Sequence, residues 1–66
     1  MKKTSIMQDE VLFEYIRQGN SVKVTAIEPL TKTEAVVIVP ANLSEQQMQA
    51  RAMQKLLYVL KKKAEE

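Results

Sequence analysis

Glu10 and Glu14 are a carboxylate pair with Leu12 between them, and on a strand both project from one face. A paired general acid and base could start from such an arrangement. That work needs a shielded pocket which moves one pKa away from the other, and a small sheet offers little concavity. Glu10, Glu14, Glu28 and Glu34 are therefore read as solvated charges on strands and beside turns. Tyr15 and Ser21 have no histidine to activate them, because the chain contains none. Gly19 is the only glycine, which excludes a phosphate-cradling loop. With no cysteine and only scattered carboxylates, no metal-ligand spacing exists. No catalytic, cofactor-binding or metal-binding residue is assigned, and a protein that is not an enzyme is expected.

A second chemistry is available to Arg51, Lys55, Lys61 and Lys62, which surround Tyr58 toward the C-terminus. Cations repeated along a helix can track phosphates, and a tyrosine can stack on a base. The competing reading is a solvated helix face whose terminal lysines complement the helix dipole. Residues 1–43 balance five basic against five acidic side chains, so the whole net charge of +2 lies on residues 44–66. A nucleic-acid module usually carries a larger surplus. Nucleic acid is thus the alternative partner and not the favoured one.

The elements that must position these residues follow from spacing. Leu43-Ser44-Glu45-Gln46-Gln47-Met48 reads as a helix start. Ser44 is placed to cap the first turn, Gln47 to reach back to the Ser44 N–H, and Leu43 and Met48 to form a hydrophobic staple. The predicted helix runs from about Glu45 to Lys62. At about 100° per residue, Met48, Ala50, Ala52, Met53, Leu56, Leu57, Val59 and Leu60 occupy an arc of roughly 200°.

Upstream, two β-rich runs flank Gly19-Asn20, with glycine first as a type II′ hairpin requires. Pairing Gln18 with Ser21 puts Phe13, Tyr15 and Arg17 on the face of Val22, Val24 and Ala26. Pro29 to Lys32 forms a loop whose last position often needs φ > 0, a strain for Lys32. Pairing Glu28 with Thr33 then sends Ala35, Val37 and Val39 to the core and Val36 and Ile38 outward. Pro40 ends the strand. The predicted fold is α+β: a three-stranded antiparallel meander followed by one helix. A polar tail (1–9), a single domain (10–63) and a flexible end (64–66) complete the division.

A chain of 66 residues buries only about 60% of its unfolded surface and is marginal alone. Without disulfides or zinc, oligomerisation is the remaining support. The chain is accordingly expected to be a binding or assembly module, most simply a homodimer. Ala50, Met53, Leu57 and Leu60 are the favoured interface, since one small sheet accepts Met48, Ala52, Leu56 and Val59 more readily than both sets. Leu12, Ile16 and Ile27, on the outer sheet face, are the rival. Met1-Lys2-Lys3 begins like a signal peptide but lacks the apolar segment that should follow. The longest apolar run, 35–41, is too short to cross a bilayer, so a cytoplasmic protein with no membrane partner is the default.

The run from Phe13 to Pro29, with its glycine hairpin and proline-started second turn, resembles a family of short uncharacterised bacterial proteins, a domain of unknown function. The resemblance extends over about residues 10–62 and includes a C-terminal helix ending in a leucine-rich basic stretch. Lys32 departs from it, standing where glycine is expected. The resemblance implies the β-β-β-α fold and brings no activity with it.

Overall fold

Alternating β-branched and polar residues pair through tight turns here, and a capped amphipathic segment closes over one side of the resulting sheet. A computed structural model describes residues 3–6, as backbone, and residues 11–65. The elements are β1 (Lys3–Ile6), β2 (Leu12–Gln18), β3 (Ser21–Glu28), β4 (Thr33–Pro40) and α1 (Glu45–Glu65). The strands form one antiparallel sheet in the order β1-β2-β3-β4. The expected meander is β2-β3-β4, followed by the expected helix.

The stretch 1–9, read as a tail, contributes one strand more: Lys3–Ile6 pairs with Leu12–Tyr15. Its polar residues give no alternation to read, and its pairing satisfies the otherwise bare backbone of β2. The helix also outruns expectation, ending at Glu65 and taking in part of the stretch 64–66. No glycine or proline follows Lys62 to stop it. A helix of 21 residues spans about 31 Å, longer than an eight-residue strand at about 27 Å.

Both turns are built as the sequence predicts. Gly19 has φ +63°, with Gln18 paired to Ser21, and Asn20 is not among the positive-φ residues, as a type II′ turn requires. Glu28 pairs with Thr33, and Lys32 adopts φ +61°. Glu28 organises this second loop, its carboxylate accepting hydrogen bonds from the Thr31 hydroxyl and from the Thr31 and Leu30 N–H groups. Those bonds, the hydroxyl's above all, hold its pKa below the ordinary value. The left-handed conformation costs a side-chain-bearing residue about 1–2 kcal/mol, and glycine's extra freedom in the unfolded chain offsets only part of that. Lys32→Gly is therefore expected to raise stability by roughly 0.5–1 kcal/mol. A lower urea midpoint for this variant would show that Lys32 is held by contacts stronger than its strain.

The helix cap is reciprocal. The Gln47 N–H donates to Ser44 Oγ at 3.0 Å, and the Ser44 N–H donates to Gln47 Oε1 at 3.0 Å. Leu43 packs against the core that contains Met48, so the staple closes at the same point. Ser44→Ala should cost about 1 kcal/mol, read as a fall in the urea midpoint; no change would mean that water replaces the hydroxyl without loss.

The core lies between the sheet and α1. Phe13, Val22, Val24, Ala26, Ala35 and Val39 meet Met48, Ala52 and Leu56, with Val11 at the margin. The helix lies over β3 and β4 rather than centrally. Small residues explain the offset: Ala26 and Ala35 oppose each other in register, and Ala52 is fully buried. Alanines facing one another let the helix backbone approach those two strands closely.

Candidate functional site

The carboxylates do not converge. Glu14 lies on the outer sheet face in register with Thr25, and Glu28 is committed to its own loop. Glu34 is exposed at the start of β4. Glu10 lies outside the described residues, so its pairing with Glu14 is not placed. Among the described residues, no group of three or more His, Cys, Asp or Glu side chains could hold a metal ion.

Tyr15 is on the core face, and its hydroxyl is buried with no hydrogen-bond partner among the described residues. Burial raises its pKa, and the charge of Glu45 at the helix start adds to the shift. The phenol stays protonated at neutral pH and is no nucleophile there.

The two apolar surfaces differ in how much they leave uncovered. Of the helix set, Met53 and Leu60 turn partly inward and pack against the core, while Ala50 and Leu57 remain exposed. The neighbouring set behaves as expected, with Met48, Ala52 and Leu56 buried and Val59 half-buried.

The outer sheet face carries more. Leu12 and Ile27 are cross-strand partners, and Ile16, Lys23 and Ile38 form a row across β2, β3 and β4. Val36 lies between those rows, beside Thr25. Leu12, Ile16 and Ile27 are half-buried, whereas Val36 is 39% and Ile38 58% exposed. No described element packs over this face, because α1 occupies the other. Glu14, Lys23 and Glu34 are its charged residues on β2 to β4, and they are of both signs.

The basic residues are split. Arg51, Gln54, Lys55 and Tyr58 line one wall of a cleft of about 590 Å³, whose other wall is Val37, Ile38 and Val39 of β4. Lys62 follows on the same flank of the helix, two turns beyond Lys55. Lys61 and Lys62 are both exposed and lie beyond the residues that line the cleft. Tyr58 is 60% exposed. Lys55 is already engaged, its ammonium donating to the Val36 carbonyl at 3.2 Å.

Lys63, expected only to complement the helix dipole with the other terminal lysines, donates likewise to Thr33 Oγ1 at 3.2 Å. A lysine reaching from a helix to a strand edge leaves no periodic trace, and the sequence offered no signal for either bond. A second cleft, of about 440 Å³, lies at the hairpin end between Arg17, Asn20, Pro40, Ala41 and Asn42. Its one cation, Arg17, donates to the Gly19 carbonyl at 2.6 Å.

Among the described residues, no helix is long and apolar enough to cross a membrane. Residues 8–63 match the model of a family described as a domain of unknown function (DUF6898), and the chain belongs to that family. No curated protein and no solved structure matches it.

Proposed function

We propose that this member of a family of unknown function is a non-enzymatic assembly module, cytoplasmic, that forms a homodimer through the outer face of its sheet. The carrying observation is the set of aliphatic side chains at Leu12, Ile16, Ile27, Val36 and Ile38 on one sheet face, interspersed with Glu14, Lys23, Thr25 and Glu34, with α1 on the opposite face. An antiparallel sheet can leave one face to water, but that face is then usually polar along its alternation. Here β2 and β4 each carry two aliphatic residues on that face, Leu12 and Ile16, and Val36 and Ile38, and β3 adds Ile27.

A second copy is the favoured occupant for two reasons. Two sheets packed face to face about 10 Å apart bury such rows on both sides at once, and two-fold dimers are the commonest way for a small chain to gain burial. The charges on the face are of both signs and oppose self-pairing far less than the basic helix flank does. The set Ala50, Met53, Leu57 and Leu60 is the less economical interface, since Met53 and Leu60 are already partly covered by their own core. Sedimentation equilibrium over a range of concentrations tests the reading: twice the chain mass of 7.5 kDa supports it, and a folded monomer at high concentration removes it.

A further inference from the structure

A different surface has its own occupant. β4 is an edge strand, and the Val36 carbonyl points away from β3, because it accepts the Lys55 ammonium. In an antiparallel ladder each residue directs its N–H and C=O to one side, and its neighbours direct theirs to the other. Glu34, Val36 and Ile38 therefore present both groups to the open edge. Pro40, which has no N–H, closes the ladder at one end.

Beside that edge runs the helix flank of Arg51, Gln54, Lys55 and Tyr58. We propose that the cleft between β4 and α1 receives an extended peptide with acidic side chains at alternate positions, added to the sheet as a strand beside β4.

The chemistry selects this occupant. Strand addition needs N–H and C=O groups repeating about every 6.8 Å, which the edge supplies and a peptide matches. A nucleic-acid backbone has no N–H to donate, and the edge carbonyls repel its phosphates. A second copy pairing β4 with β4 brings two rows of Arg51, Lys55 and Lys62 together, and like charges in close contact oppose it.

The pleat then sets the pattern of the peptide. Side chains of an added strand alternate between the helix side and the outer face. Those on the helix side meet Arg51 and Lys55 and are acidic. Those on the outer face lie along Val36 and Ile38 and are apolar; Glu34 on that face excludes acids from them. On binding, Lys55 passes from the Val36 carbonyl to a peptide carboxylate, and a peptide N–H takes its place. Until then Lys55 protects the edge from unwanted pairing, a common use of edge lysines. The proposal rests on the sheet edge and stands or falls separately from the face-to-face dimer.

The test uses the full chain labelled with ¹⁵N and a peptide as long as β4 with alternating valine and glutamate. Saturable amide shifts centred on Val36, Ile38, Arg51 and Lys55 are expected. Replacing the glutamates by lysines, or N-methylating the residues that face β4, should each weaken binding by about tenfold or more, the equivalent of roughly 1.4 kcal/mol. Arg51→Glu with Lys55→Glu should reverse the preference toward the lysine peptide. Arg51→Gln with Lys55→Gln serves if that variant does not fold, and should abolish the preference for either charge.

Equal binding of the N-methylated peptide overturns strand addition. Tighter binding of an oligothymidylate at the same amides assigns the cleft to nucleic acid. Concentration-dependent shifts of Arg51, Lys55 and Tyr58 without peptide, which the face-to-face dimer would not produce, assign the cleft to a second copy. Unperturbed amides at saturating peptide remove the site.

Discussion

Replacing Leu56 with alanine is expected to consume most of the folding free energy of this protein. Leu56 is fully buried, and with Val24 it is the largest side chain so enclosed. Leucine-to-alanine changes at such sites cost about 2–5 kcal/mol, because the lost transfer energy is joined by an incompletely closed cavity. At roughly 0.05–0.15 kcal/mol per residue, a chain of this length has only about 3–10 kcal/mol in total. The surroundings of Leu56 lie on rigid strands β3 and β4, which limits collapse into the void. The adjacent residue is the control. Leu57 is 56% exposed, and Leu57→Ala should stay within about 0.5 kcal/mol. Urea unfolding of the two variants checks both statements. Similar losses for both would mean that the helix is rotated from the orientation described, or that Leu57 is buried in an assembly.

The second large effect concerns that assembly. If the proposed sheet-face dimer forms, Ile38→Lys is expected to turn it into a folded monomer. Ile38 contributes little to the monomer core, being more than half exposed, so folding and association separate at this position. A two-fold interface loses the side chain twice. At about 1.5–3 kcal/mol for full burial of an aliphatic side chain, and with 58% of Ile38 left to cover on association, dimer dissociation should become at least tenfold easier. Circular dichroism should show an intact fold, and sedimentation a halved mass. Ile16→Lys should act in the same direction with some loss of stability, because Ile16 is half-buried within the chain. Leu57→Glu should leave the dimer unchanged. The opposite result, dissociation by Leu57→Glu and indifference to Ile38→Lys, would falsify the sheet interface and move it to the helix flank.

What the sequence determined by itself was local or periodic. Gly19-Asn20 specified the hairpin because few dipeptides supply φ > 0 where a type II′ turn needs it, and that turn set the register of β2 on β3. Pro29 and the length of the second loop carried the register to β4, strain at Lys32 included. Ser44 and Gln47 marked the helix start because both halves of a capping box lie within one turn.

Tertiary structure alone decided three matters. Lys3–Ile6 joined the sheet because the bare backbone of β2 accepts a partner whatever its side chains, so no hydrophobic pattern announced it. Met53 and Leu60 turned inward and Leu57 outward because the helix settled over β3 and β4, where facing alanines allow close approach. Their arc alone could not say which flank would be covered. Lys55 came to the Val36 carbonyl only because that docking laid a basic helix flank along an open strand edge. These residues are 19 apart in the chain, and no rule of spacing links a helix side chain to the backbone of a strand it happens to meet.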